Sequence, residues 1–399
     1  MNEISTVGVL GAGTMGAGIA QVVAEAGLTV LIHDPVEGAT ERARERIGGF
    51  LERKVAKEQL SADDASAALA RIRPVAGLTE LAAADLVIEA IPEDLELKRD
   101  AFRQLDAAAA PATMLATNTS SLSVTQIAAS TARPERVVGM HFFNPVPLMA
   151  LVEVIAGPMT SAAVTDSVAL LARQLGKTPV VAADTPGFIV NRVQRAYYLE
   201  AFRIHEGGLA DVATIDDAMR GIGFRLGPFE LADMVGTDVN LAAGLTIFSG
   251  FYGDVRFRPA LVQQRVVDSG RLGRKAGAGY YDYGTDGARG APWTALARTR
   301  LLPALDAAQI EARILAAVVN EAASAVADGV ASPDAIDTAM RLATNWPDGP
   351  LAWGERIGLT SVVHTLDALH VVVPDGRYRV TPLLRVTADG GGSFSSTRG

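Results

Sequence analysis

The chain has 399 residues, of which 49% are hydrophobic, a formal net charge of −9 and no cysteine. That length has room for two or three domains with filled cores, the acidic balance argues against nucleic acid as a partner, and the missing thiols exclude disulfides and thiolate catalysis. No apolar run approaches the roughly 20 residues that span a bilayer, and Met1-Asn2-Glu3 opens no signal-peptide block, so a cytoplasmic protein without membrane or metal partners is expected.

Ile4 to Leu10 is a short apolar run that stops at Gly11-Ala12-Gly13-Thr14-Met15-Gly16. This predicts strand, tight turn and helix, with glycines that let the backbone approach a pyrophosphate and helix amides facing its oxygens. An amphipathic helix to about Ala26 follows, then a strand Thr29 to His33 that ends at Asp34. The spacing is that of a βαβ dinucleotide-binding unit, and an acid at this point binds ribose hydroxyls and repels a 2′-phosphate, which favours NAD over NADP. A capping role for Asp34 before Pro35 fits either cofactor.

Glu37 to Glu58 reads as a long helix on which Arg53 and Lys57 share a face. Such a cluster is ordinarily a solvated surface; beside a cofactor domain it is also a candidate for a phosphorylated substrate handle. Asp85 to Ile91 is a predicted buried strand, followed by Glu93 and a helix through Lys98 to Leu105. Its carboxyl end is expected to face the cofactor, which makes Glu93 and Lys98 candidate contacts. Next come the strand Met114-Leu115-Ala116 and the polar loop Thr117-Asn118-Thr119-Ser120-Ser121, where an N-cap or ST-turn would account for one hydroxyl.

Of five histidines only His141 ends a predicted strand, Val137 to Met140, in the cofactor domain. Asn144 follows it closely and Glu153 lies twelve residues on. A histidine paired with a carboxylate is a proton acceptor tunable near neutral pH, and a nicotinamide beside it would take a hydride.

From Pro186-Gly187 the strand–helix alternation gives way to helical periodicity, with proline and glycine starting the first helix of an all-helical domain. The expected divisions are 1–184, 185–295, 296–388 and a glycine- and serine-rich flexible tail, 389–399. The division at 296 comes from a repeat: Glu200-Ala201, Gly208 and Ile215-Asp216-Asp217-Ala218-Met219-Arg220 recur 121 residues later as Glu321-Ala322, Gly329 and Ile336-Asp337-Thr338-Ala339-Met340-Arg341. Gly227-Pro228 recurs at Gly349-Pro350 after one insertion. Asn191 becomes Ala312, so the second copy is expected to be structural, packing on the first as an internal pseudo-dimer that leaves a homodimer optional.

Gly11 to Gly16, Asn118-Thr119-Ser120-Ser121, His141 to Pro145, Leu151-Val152-Glu153-Val154, Pro186 to Arg192 and Gly227-Pro228-Phe229-Glu230 occur in the order found in one family. The chain resembles the L-3-hydroxyacyl-CoA dehydrogenases. The resemblance implies a Rossmann-type α/β NAD-binding domain followed by two tandem all-α domains of the 6-phosphogluconate-dehydrogenase C-terminal type. It implies His141 as catalytic base, Glu153 as its orienting partner, and Ser120 and Asn191 as holders of the substrate's oxygen atoms. Gly11, Gly13, Thr14, Met15, Gly16, Asp34, Glu93, Lys98 and Asn118 match cofactor contacts, and Arg53, Lys57, Ser120 and Asn144 match acyl-CoA contacts. The implied reaction is reversible oxidation of (S)-3-hydroxyacyl-CoA to 3-oxoacyl-CoA with NAD. The duplicated helical domain looks most like the 3-hydroxyadipyl-CoA branch of phenylacetate catabolism, with 3-hydroxybutyryl-CoA as rival substrate and Arg225, Arg256 and Arg258 as candidate partners for a distal carboxylate. A non-CoA hydroxy-acid dehydrogenase, as in the L-gulonate branch, and a catalytically idle NAD-binding protein are the other readings.

Overall fold

The computed structural model describes residues 4–298 and 302–394, and the chain divides into two compact units, Met1–Phe188 and Ile189–Gly399. The first unit holds strands β1 (Thr6–Leu10), β2 (Thr29–His33), β3 (Ile72–Pro74), β4 (Leu86–Glu89), β5 (Met114–Thr117), β6 (Val137–Phe142), β7 (Leu151–Ala156) and β8 (Thr178–Ala183). Its helices are α1 (Thr14–Glu25), α2 (Ala39–Ala56), α3 (Ala62–Arg71), α4 (Leu78–Leu81), α5 (Leu95–Ala108), α6 (Val124–Ala128) and α7 (Ala162–Gln174).

The strands form one sheet in the order β3-β2-β1-β4-β5-β6-β7-β8. Neighbours are parallel except β6 and β7, which run antiparallel. Val7, Val9, Val30, Ile32, Leu86 and Ile88 are buried, as expected of parallel strands covered on both faces. The strand order reverses between β1 and β4, and at this switch point the carboxyl ends of the strands open a crevice for a ligand. His141 was expected to end a strand; it lies one residue inside β6, which continues to Phe142 because both residues pair with β7.

The second unit holds α8 (Val190–Glu206), α9 (Val212–Gly221), α10 (Pro228–Val235), α11 (Thr237–Gly250), α12 (Leu261–Asp268), α13 (Ala307–Ala327), α14 (Pro333–Thr344), α15 (Pro350–Ile357), α16 (Leu359–Val372) and α17 (Pro382–Asp389). The helices α8 to α11 and α13 to α16 repeat in order, and α8 packs along α13. One device recurs in both copies. Asp216 accepts from Phe229 N and Glu230 N at 2.9 and 3.0 Å, and Asp337 accepts from Leu351 N and Ala352 N at 2.8 and 2.9 Å, capping α10 and α15. A Cβ at Gly227 or Gly349 would collide with that aspartate, which is why Gly-Pro opens each helix.

Three expectations are corrected. The first helix begins at Val190 rather than Gly187, because Gly187 and Phe188 both take positive φ, 79° and 50°, and turn the chain first. The unit is not all-helical: β9 (Tyr281–Tyr283) and β10 (Arg289–Pro292) form an antiparallel ribbon, whose start is held by Asp233 accepting from Tyr280 N and Tyr281 N. The tail is ordered as far as Phe394, whose ring is buried and whose amide donates to Glu355 at 2.6 Å; residues 395–399 lie outside the described residues.

Candidate active site

The glycine turn is built by close approach. Gly11 has φ of 102°, and a Cβ there would lie 2.6 Å from the Ala90 carbonyl; a Cβ at Gly16 would collide with the Gly11 carbonyl. Gly13 differs, since a Cβ there meets nothing within 4 Å. It is the N-cap of α1, where no side chain caps the first turn. The first-turn amides of Thr14, Met15 and Gly16 are thus left without a side-chain cap, as an incoming pyrophosphate requires. Asp34 fixes the rim: Oδ2 accepts from Ala12 N at 2.7 Å and Oδ1 from Val36 N at 2.9 Å. A carboxylate has about four acceptor sites, so capacity remains for ribose hydroxyls. The turn, the uncapped helix and the acid fit a dinucleotide.

Glu93 organises the next loop. Its Oε1 accepts from Thr119 Oγ1 at 2.7 Å, Ser120 N at 2.9 Å, Ser121 N at 3.1 Å, Ser121 Oγ at 3.1 Å and Ser120 Oγ at 3.3 Å. Burial opposes its charge, but Lys98 and these donors outweigh it and hold the Glu93 carboxyl below the usual range. Asn118, just past β5, accepts from Phe142 N at 2.9 Å and so ties the loop to β6. Asn118 N donates to Glu89 O at 2.8 Å and Lys98 lies between Glu89 and Glu93, so the cofactor candidates Glu93, Lys98 and Asn118 and the catalytic candidate Ser120 form one network.

Glu89 was not singled out in the sequence, although it anchors that network. It is fully buried at the end of β4, where Oε1 accepts from Lys98 Nζ at 2.6 Å and Ile91 N at 2.7 Å, and Oε2 from Thr117 Oγ1 at 2.7 Å. Lys98 also lies 3.4 Å from Glu93 and is 1% exposed. An acid inside an apolar strand, with a lysine nine residues on, was the available signal, because a buried charge needs a partner.

His141 and Glu153 are register partners on β6 and β7, so both side chains leave the same face of the sheet. His141 Nδ1 lies 2.7 Å from Glu153 Oε2, with Glu153 fully buried. A carboxylate only accepts, so Nδ1–H is the donor, and the neutral ring carries its lone pair on Nε2. The Phe143 and Phe188 rings flank the imidazole at centroid distances of 4.5 and 5.9 Å. Asn144 is exposed in the turn after β6. Lys177 Nζ donates to Val146 O and Met149 O at 2.6 and 2.9 Å and closes the loop between β6 and β7.

Arg53 and Lys57 are exposed at the end of α2, with the Arg53 guanidinium 4.4 Å from the centre of the Phe50 ring. In the second unit Asn191 lies in the first turn of α8. Arg256 donates to Glu321 Oε2 at 2.9 Å and lies 3.2 Å from Asp254, which removes it as a partner for a substrate carboxylate; Arg225 and Arg258 are exposed.

A mostly parallel sheet with an uncapped glycine turn, and a histidine–carboxylate pair in the same unit, define an NAD-dependent oxidoreductase. Residues 6–185 match the 3-hydroxyacyl-CoA dehydrogenase NAD binding domain, and residues 187–283 and 310–393 match the 3-hydroxyacyl-CoA dehydrogenase C-terminal domain. The chain belongs to the 3-hydroxyacyl-CoA dehydrogenase family. It is 40% identical to the 3-hydroxyadipyl-CoA dehydrogenase of Escherichia coli, covering 97% of this chain and 98% of that one. It is also 40% identical to the 3-hydroxybutyryl-CoA dehydrogenase of Clostridioides difficile, covering 69% of this chain and 98% of that one. A crystal structure of 3-hydroxybutyryl-CoA dehydrogenase from Escherichia coli superposes with a TM-score of 0.88 at 38% identity, covering 98% of this chain and all of the other.

Proposed function

We propose that this protein reversibly oxidises the 3-hydroxyl of (S)-3-hydroxyacyl-CoA to the 3-oxo group, with 3-hydroxyadipyl-CoA as its preferred substrate and phenylacetate catabolism in the cytoplasm as its setting. The observation that carries the reaction is the 2.7 Å bond from His141 Nδ1 to the buried Glu153 carboxylate. With Nδ1 committed, Nε2 takes the hydroxyl proton as general base, and Glu153 stabilises the imidazolium that results. Ser120 and Asn191 donate hydrogen bonds to the oxygen on which charge changes. Bound NAD would supply the hydride acceptor; Asp34, the amides of Thr14 to Gly16 and the loop ordered by Glu93, Lys98 and Asn118 are the groups that would hold it.

Arg53 and Lys57 meet the CoA phosphates in this reading, and Asn144 the substrate. The 3-hydroxyadipyl assignment is supported by the tandem helical copies and by a relative of that name matched along nearly its whole length. Arg225 and Arg258 are the remaining candidates for the distal carboxylate. The test compares kcat/KM for 3-hydroxyadipyl-CoA and (S)-3-hydroxybutyryl-CoA by NADH formation. A higher value for the adipyl compound is expected. The reverse order overturns the substrate assignment, and no NADH with either overturns the reaction.

A further inference from the structure

Arg192, next in the chain to Asn191, is fully buried in the first turn of α8. Its Nε donates to Glu321 Oε1 at 2.7 Å, and its terminal Nη2 to Ser324 Oγ at 3.1 Å and Asp328 Oδ2 at 2.5 Å. All three partners belong to the far end of α13, in the second copy. The ring of Phe251 covers the guanidinium, 4.9 Å from its centre. A buried planar cation fixed at two nitrogens by carboxylates cannot shift without breaking charged bonds.

The same contact exists in mirror image. Arg313 stands at the position of Arg192, and Glu200 at that of Glu321, 121 residues apart in each case. Arg313 Nε and Nη2 donate to Glu200 Oε1 at 2.9 and 2.5 Å. Residue i of one copy grips residue j of the other and the reverse, the signature of a two-fold interface between equivalent surfaces.

The two ends of that interface have diverged. Asp328 caps α13 where its counterpart, Gly207, caps α8, so Arg313 has no second carboxylate at that position. Arg256 corresponds to Arg377, in the segments Asp254-Val255-Arg256-Phe257-Arg258 and Asp375-Gly376-Arg377-Tyr378-Arg379, 121 residues apart. Arg256 Nη1 donates to Glu321 Oε2 at 2.9 Å, whereas Arg377 is turned to Asp375, and Glu200 is met by the Tyr378 hydroxyl at 3.1 Å and by Arg203 at 3.6 Å. The end that carries Asp328 adjoins Asn191, and the end that carries Gly207 in its place adjoins Ala312.

We infer that the second helical copy serves as a positioning element for Asn191, acting through the Arg192 guanidinium held by Glu321, Ser324 and Asp328. The inference rests on the reading of Asn191 as a donor to the substrate's oxygen. The first turn of a helix has no intrahelical acceptors for its own amides, and here it follows two residues in left-handed conformation. Its orientation is therefore set from outside, and Arg192 is the side chain through which the second copy sets it.

The test uses the full chain. Asp328 is 48% exposed at a helix end, so Asp328→Asn keeps the fold. Roughly a tenfold fall in kcat is expected, with NADH affinity unchanged and most activity recovered in Asp328→Glu. Arg313→Gln opens the mirror end; it is expected to lower Tm while keeping kcat within about twofold. In an Asn191→Ala background, Asp328→Asn is expected to cost nothing further. An unchanged kcat in Asp328→Asn, an equal loss in Arg313→Gln, or additive losses in the double variant would each overturn the inference and leave the role of Asn191 standing. Full activity in Asn191→Ala would remove both.

Discussion

Glu153 faces His141 directly across the antiparallel pair β6 and β7, and the two side chains meet at 2.7 Å in a buried setting. The twelve-residue spacing in the chain becomes a contact because the strands turn back on each other in that register, and a slip of one residue would send the carboxylate to the opposite face. This register is the physical basis of the proposed base.

Replacing Glu153 with Gln keeps the shape and removes the charge that would stabilise the imidazolium. A 10- to 100-fold fall in kcat, as an estimate on the order of other outer-sphere partners, is expected with unchanged NADH affinity. His141→Ala is expected to lose about 10² to 10⁴ in rate while still binding NADH. Steady-state kinetics and NADH fluorescence titration check both; near-normal turnover in His141→Ala would rule out the assigned base.

The glycines of the first turn are expected to separate by phenotype. Gly13→Ala places a methyl in open space with φ of −69°, so Tm is expected to hold while NADH binds about tenfold more weakly. Gly16→Ala drives its methyl into the Gly11 carbonyl, so Tm is expected to fall by several degrees, about what 1–2 kcal/mol produces. Equal thermal losses in both variants would contradict this account of the turn.

Glu93 is expected to make the first unit acid-sensitive. Lys98 and the loop donors hold its folded pKa below the ordinary glutamate value, so the unfolded chain takes up the proton first. The stabilisation is present above about pH 4.5 and is lost as pH falls through the lower folded value. Melting curves between about pH 6 and 3 are expected to show a shallower decline for Glu93→Gln than for the wild type. Parallel declines would mean that the carboxylate does not hold the Ser120 loop.

Reversing Arg53 and Lys57 to glutamate is expected to raise KM for acyl-CoA several-fold and to leave kcat nearly unchanged, because these exposed charges would bind a remote part of the substrate equally in ground and transition states. The wild-type KM is expected to rise with salt, and the doubly reversed protein to lose that dependence. An unaltered KM would favour a substrate without phosphates.

Much of the fold followed from local pattern. A run of apolar residues ending in glycines and an acid closing the next strand are properties of neighbours in sequence, which determine strands, turns and helices, and a repeat about 121 residues apart shows that such a pattern recurs. The family motifs marked His141, Glu153, Ser120 and Asn191 as one set of site residues. The chain alone did not show that Glu89 anchors Lys98, that Gly187 and Phe188 delay the first helix, or that a β-ribbon interrupts the helical unit. Each depends on which distant backbone offers a partner.

The repeat told the same story at larger scale. Sequence determined that two similar helical copies exist, because their residues recur in the same order about 121 residues apart. Only the tertiary structure decided that Arg192 lies against Glu321 and Asp328 and that Arg313 lies against Glu200. Those pairs are more than a hundred residues apart, and their union follows from burying α8 along α13, where every charge left without a partner would carry a desolvation cost.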